Sequence, residues 1–232
     1  MTVAFVSGAS RGLGREVARG LVAAGHHVIG ISKDPQRAHA TGAELGVTFE
    51  TADLQDISQT RALAEKLLAS YGVPEIVVLA HGVMSDKMAK TLRTNDNEWS
   101  RVMDVNLNSV FTLVNAFGAP MAEARRGRII IFSACLGRMS GPGNAGGLAP
   151  YRISKAGVNA LVRNLAHETG HGARGFLVDA VCPNHSRTDM GGPDAPRSAE
   201  EGAATALWLA TREFRPGDTT GVLWEDYEEV PW

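Results

Sequence analysis

The stretch Val3-Ala4-Phe5-Val6-Ser7-Gly8-Ala9-Ser10-Arg11-Gly12-Leu13-Gly14 runs from an apolar strand through a glycine-rich turn into a helix. Val3 to Val6 has the length and composition of a buried strand, and positions 12–24 carry helical apolar spacing. Between them the glycines leave the helix N-terminus bare, where free amides and the positive end of the helix dipole attract a pyrophosphate. Only glycine lets a backbone approach a ligand that closely. The same rhythm continues outward. Apolar runs at 28–31, 47–50, 76–79, 129–132 and 177–181 alternate with helical segments near 57–71, 97–125, 151–169 and 198–211. This predicts right-handed βαβ units and a doubly wound α/β sheet, parallel, with helices on both faces, in one domain over 1–232. Ligands of such sheets bind beyond the carboxyl ends of the strands, where strand order reverses.

Tyr151-Arg152-Ile153-Ser154-Lys155 is the second informative stretch. Residues four apart on a helix share a face, so the Lys155 ammonium can lie beside the Tyr151 phenol. A neighbouring cation favours phenolate, which predicts a tyrosine pKa below its reference of about 10. Gly137–Pro150, with five glycines and two prolines, reads as a loop bordering Tyr151. Asn95 and Glu98 have capping-box spacing, and Asp56 or Ser58 suits the cap of the preceding helix. The acidic and aromatic tail, Trp224 to Trp232, reads as a solvated strand end or a packing segment.

Composition removes several function classes. With 23 Lys+Arg against 25 Asp+Glu, the chain lacks the basic face of a nucleic-acid binder, and Arg125-Arg126-Gly127-Arg128 reads as a solvated helix end. No apolar stretch reaches the length of a membrane span, and the N-terminus enters a strand at once, leaving no room for a signal peptide. Cys135 and Cys182 make no disulfide framework and read as ordinary strand-end residues, which fits a reducing, cytoplasmic setting. No His/Cys/Asp cluster has metal-ligand spacing.

The glycine spacing is G-x-x-x-G-x-G rather than G-x-G-x-x-G, and with Tyr-x-x-x-Lys it resembles the short-chain dehydrogenase/reductase family over nearly the whole chain. Arg187–Pro193 and the tail are similar to bacterial carbonyl-reductase-like members. The resemblance implies a Rossmann fold with a parallel seven-stranded sheet and a nicotinamide cofactor. It implies that Gly8, Gly12 and Gly14, with Ser10, Arg11 and Leu13, form the pyrophosphate turn. Asp53 would accept from the adenine amine, Leu54 would line the adenine pocket, and Ala80 and Gly82 would border the cofactor. The alternative for Asp53 is a loop cap. At the end of the second strand the chain has Ser32-Lys33 where an acidic residue would bond the ribose 2′-hydroxyl, and Arg11 lies nearby. Two cations favour NADP(H) over NAD(H). The alternative is a solvated Lys33 with Asp34 on the ribose. Where the family has Asn-Asn-Ala-Gly, this chain has Leu79-Ala80-His81-Gly82, and a structural His81 is favoured over a ligand contact.

On the catalytic side, Asn106 matches the asparagine that interrupts a helix and holds a water leading to the lysine. Tyr151 matches the acid/base, and Lys155 the residue that lowers its pKa and bonds the nicotinamide ribose. Ser154 packs. Pro183 and Thr188 match the segment that bonds the nicotinamide carboxamide, with Asn184 replacing a glycine in a turn whose left-handed geometry asparagine tolerates. The departure lies at Gly127–Gly137, where the catalytic serine position is occupied by Ala134. Ser133 should point to the opposite side of the strand, and Ser140 is the hydroxyl that could fold back instead. The enlarged loop follows.

The leading expectation is therefore an NADP(H)-dependent oxidoreductase reducing a carbonyl, or oxidising an alcohol, of a small organic substrate. The alternatives are a non-redox cyclase, isomerase or lyase in the same pocket, or a catalytically silent binding protein. Val110, Leu113, Val114, Val158, Leu161 and Leu165 overfill a single apolar stripe, which predicts a homodimer or homotetramer, unless the 137–150 loop covers this face.

Overall fold

The computed structural model describes residues 2–86, 89–141, 146–215 and 217–232. Its sheet has the order β3-β2-β1-β4-β5-β6-β7-β8, with β1 at Val3–Ser7, β2 at His27–Ser32, β3 at Thr48–Thr51, β4 at Ile76–Leu79, β5 at Gly127–Phe132, β6 at Phe176–Val181, β7 at Leu223–Glu225 and β8 at Glu228–Val230. β1 pairs in parallel with β2 on one side and β4 on the other, so the order reverses between β1 and β4. This is the crevice where a ligand of such a sheet binds.

Side chains alternate across the sheet and make two cores. Phe5, Ile29, Ile31, Ile129 and Ile131 pack with α3 (Ile57–Tyr71), α5 (Ser109–Glu123) and α6 (Ala149–Thr169) through Leu67, Phe117 and Val158. Ala4, Val6, Ile130 and Phe132 pack with α1 (Gly12–Ala23) and α7 (Ala199–Thr211) through Val17, Leu21, Ala206 and Leu209. Among the described residues no helix is long and apolar enough to cross a membrane.

Several local readings change. The expected seven-stranded parallel sheet has an eighth, antiparallel strand, β8, paired with β7. The two strands are joined through Asp226 and Tyr227 at φ +51 and +67, left-handed backbone that matches strand twist in a tight hairpin. The tail is thus a packed hairpin, with Trp208 edge-on to both Trp224 and Tyr227. A further helix, α2 (Pro35–Leu45), follows β2, capped by Asp34 with proline in its first turn. The single helix expected over 97–125 is α4 (Asp96–Met103), a π turn at Asp104–Asn108, and α5. Asp56 caps α3 and also accepts from the Ser58 hydroxyl. Asn95 caps α4, but the Glu98 carboxylate turns to the Asp86 amide and Arg101, so only half of the capping box forms. In the expected loop, Pro142, Gly143, Asn144 and Ala145 lie outside the described residues, and α6 already starts at Ala149.

Candidate active site

The glycine turn joins β1 to α1 against the end of β4. Gly8 has φ +68, and a Cβ there would lie 3.0 Å from the His81 nitrogen. A Cβ on Gly14 would strike the Gly8 carbonyl. Asp34, Asp56, Asn95 and Ser198 cap α2, α3, α4 and α7, whereas α1 has no side-chain cap and no acid in its first turn. Its bare amides, beside a backbone stripped of side chains, fit the pyrophosphate of a dinucleotide.

At the neighbouring end of β2, Ser32 bonds the Ser10 hydroxyl at 2.8 Å, and Lys33 Nζ lies 2.7 Å from Asp53. Asp34 is occupied: its Oδ1 accepts from the Gln36 and Arg37 amides, and Arg37 Nε lies 3.3 Å from Oδ2. Arg37, not singled out in the sequence, shares Asp189 with Arg11. Asp53 accepts from the Gln55 amide at 3.1 Å, the loop-cap geometry, and the Lys33 ammonium holds its carboxyl below the usual range. Leu54 is buried against the α3 side of the core.

His81 spans β4 and the π-turn region. Its Nδ1 lies 2.6 Å from Ser7 Oγ and its Nε2 lies 2.8 Å from Ser109 Oγ. Ser109 donates to the Val105 carbonyl, so it accepts from Nε2–H, and Nδ1 accepts from Ser7. Burial, with Lys155 nearby, lowers the ring's pKa to about 3. The imidazole is a neutral strut.

The catalytic candidates converge at the carboxyl edge of β4 and β5. Asn106 is fully buried in the π turn, where Oδ1 accepts from the Val83 amide at 2.8 Å and Nδ2 donates to the Val83 carbonyl at 2.9 Å. A Cβ on Gly82 would lie 3.3 Å from Asn106 Oδ1 and 3.7 Å from Lys155 Nζ. Lys155 Nζ donates to the Phe132 carbonyl at 2.7 Å and lies 5.8 Å from the centroid of the Tyr151 ring. Burial lowers its pKa to about 8. Ser154 donates to the Tyr151 carbonyl and accepts from Asn106, which packs the start of α6 onto the π turn.

Here the expected lowering of the Tyr151 pKa is reversed. Burial pushes the phenol up, and Cys182 and Cys135 add to the shift. The ammonium faces a carbonyl rather than the phenol oxygen, so desolvation dominates. The cysteines are also more than strand-end residues, because the Cys135 amide donates to Cys182 Sγ at 3.0 Å beside this site.

Ala134 packs with Tyr151 and Val102, ringed by Val83, Met84, Leu136 and Leu148. Ser133 is turned into α6, donating to Asn159 Oδ1 at 2.5 Å, and Ser140 donates to the Trp232 carbonyl at 3.2 Å. Both hydroxyls have other partners. Asn184 has φ +57, the left-handed geometry its replacement of glycine predicts. Thr188 stands over the glycine turn, its methyl 3.1 Å from where a Gly12 Cβ would be, and Pro183 leads into that segment. Of the six residues that suggested association, Val110, Leu113, Val114 and Val158 are buried in the chain's own core, with Leu161 and Leu165 packed against it. The first four leave no surplus stripe; the exposed large apolar residues of α5 and α6 are Phe111 and Ile153.

Comparison with known proteins agrees with this arrangement. The family described as short chain dehydrogenase matches residues 2–198. The 3-oxoacyl-[acyl-carrier-protein] reductase FabG of Escherichia coli (strain K12) is 36% identical over 190 residues, 81% of this chain and 75% of that protein. FabG of Pseudomonas aeruginosa PAO1 is 37% identical over 204 residues, 85% of this chain and 79% of its own length. Among solved structures, one described as ribose-5-phosphate isomerase from Brucella melitensis 16M superposes with TM-score 0.85 at 28% identity, covering 97% of this chain and 90% of that one. A short chain dehydrogenase/reductase family protein superposes with TM-score 0.83 at 27% identity, covering 97% and 94%. A reversing parallel sheet with a bare glycine turn and a buried tyrosine–lysine pair thus accompanies a family match over most of the sequence: the chain belongs to the short-chain dehydrogenase/reductase family.

Proposed function

We propose that this protein is an NADP(H)-dependent oxidoreductase that reduces the carbonyl of a small organic substrate, or oxidises the alcohol in reverse. The observation that carries the reading is the burial of Lys155 and Asn106 around Gly82, with Tyr151 on the next turn of α6, beside an uncapped helix N-terminus. The nicotinamide cofactor, when bound, supplies or takes the hydride. Gly8, Ser10, Gly12, Leu13 and Gly14 hold its pyrophosphate, Asp53 and Leu54 the adenine side, and Ala80, Gly82, Pro183 and Thr188 the nicotinamide side. Tyr151 gives its proton to the carbonyl oxygen; burial keeps it a phenol, the form a proton donor needs. Lys155 supplies the positive charge behind it, and Asn106 holds the path from that lysine.

FabG relatives are named as reductases of 3-oxoacyl groups on a carrier protein, which supports carbonyl chemistry here. With Ala134 at the serine position and apolar side chains around Tyr151, the favoured substrate brings its own hydroxyl or phenol to chelate the carbonyl oxygen. The same observation favours a second reading, a non-redox cyclisation, isomerisation or elimination assisted by Tyr151. Turnover that leaves nicotinamide absorbance unchanged would select it.

Three results are expected. NADPH binds at least about tenfold more tightly than NADH, a difference of about 1.4 kcal/mol that Arg11, Ser32 and Lys33 need to supply. Fluorescence titration with both cofactors measures it, and equal affinities contradict it. The kcat/KM of reduction falls above about pH 8, because the Lys155 ammonium is present below the pKa of about 8 and lost above it. A profile flat to pH 10 would remove Lys155 as the charge behind Tyr151. The chain associates into a homodimer or homotetramer through α5 and α6, on which Phe111 and Ile153 are exposed. Sedimentation equilibrium showing only a 24.6 kDa species at micromolar concentration would contradict association. The cytoplasm is proposed as its compartment, since Cys135 and Cys182 are free thiols.

A further inference from the structure

We propose that Asp189 is a built-in occupant of the 2′-phosphate site, holding Arg11 and Arg37 together across the glycine turn until a phosphate takes its place. This rests on the NADP(H) reading above and adds two determinants of cofactor affinity to it, Arg37 and Asp189.

The two arginines come from different parts of the cofactor corner. Arg11 is the N-cap of α1 in the glycine turn, and Arg37 sits in the first turn of α2, beyond Ser32 and Lys33. Both reach the same carboxylate oxygen of Asp189, Arg37 Nη1 at 3.3 Å. Asp189 is distant in sequence and arrives on the segment after β6. Its neighbour Thr188 rests on Gly12, and Thr188 Oγ1 and its carbonyl accept from the Gly191 and Gly192 amides at 3.1 and 2.8 Å. That turn fixes the carboxylate over the pyrophosphate cradle.

The chemistry of the contact is that of an anion between two guanidinium forks, which a phosphate, with more oxygens and more charge, satisfies better than a carboxylate. The contact is also open to water: Arg11 and Asp189 side chains are 58% and 62% exposed, and an exposed ion pair is weak enough to exchange. The other charges at the corner are already engaged, Lys33 with Asp53 and Asp34 with Arg37 and the start of α2. Asp189 offsets part of the Arg11 and Arg37 charge in the free protein, and it repels an arriving 2′-phosphate if it stays in place. Two unit charges about 4 Å apart in water interact by about 1 kcal/mol, which is about fivefold in affinity.

The test is calorimetric titration of wild type, Asp189→Asn and Arg37→Gln with NADPH, NADH, adenosine 2′,5′-bisphosphate and 5′-AMP, after circular dichroism shows an unchanged fold. Asp189→Asn is expected to tighten NADPH and adenosine 2′,5′-bisphosphate about fivefold and to leave NADH and 5′-AMP within twofold. Arg37→Gln is expected to weaken only the two 2′-phosphorylated ligands. If wild type prefers NADPH but Asp189→Asn leaves the preference unchanged or lowers it, Asp189 is not the occupant and the inference falls alone. If wild type binds NADPH and NADH equally, the NADP(H) reading fails and takes the inference with it.

Discussion

Tyr151→Phe is expected to lower kcat of carbonyl reduction by about 10²–10⁴-fold while cofactor affinity stays within a factor of about two, because a general acid contributes a factor of that size. The substitution removes the hydroxyl and keeps the ring that packs with Val102 and Ala134, so the pocket persists. Lys155→Ala is expected to weaken both catalysis and cofactor binding, since its ammonium is the buried cation of the site. Steady-state kinetics with a fluorescence titration of NADPH separates the two effects. A Phe variant retaining most of its activity would show that Tyr151 is not the proton donor and would favour the non-redox reading.

Ala134→Ser is expected to raise turnover of simple ketones by as much as about 10²–10³-fold, the effect attributed to one oxyanion donor. Ala134 lies in the same small cluster as Tyr151, and Ser133 and Ser140 are committed to Asn159 and the Trp232 carbonyl, so neither of these two hydroxyls replaces the missing donor. A substrate carrying its own hydroxyl next to the carbonyl should gain little. Initial rates of both proteins on a plain ketone and on a chelated one measure the difference. Equal rates on the plain ketone would show that position 134 does not face the carbonyl oxygen.

The α/β architecture was legible because its signals are local: short apolar runs, one glycine turn and a four-residue tyrosine–lysine spacing. The left-handed Asn184 was legible through the family resemblance, in which a glycine holds that turn. α2 was not read because it buries only Ala38 and Thr41, too narrow an apolar stripe, although Asp34-Pro35 carried the start signal. β8 escaped because its hairpin turns through Asp226 and Tyr227 without a glycine. The six apolar residues of α5 and α6 do not by themselves mark a free face, because α5 packs on both α3 and α6 over the sheet and much of its surface is buried. The site's electrostatics depend on tertiary placement. No spacing rule links Arg11 and Arg37 to Asp189, His81 to Ser7 and Ser109, or Cys135 to Cys182. The direction of the Tyr151 shift depends on burial, which a helical spacing does not report.

Hydride transfer itself is the central claim, and NADPH carrying deuterium at both C4 positions of the nicotinamide tests it. Incubated with the purified protein and a panel of plain and hydroxyl-chelated ketones, it should yield an alcohol carrying one deuterium on the former carbonyl carbon, with matching loss of nicotinamide absorbance and no transfer by Tyr151→Phe. Conversion of a panel compound with the nicotinamide absorbance unchanged and no deuterium in the product would contradict the account.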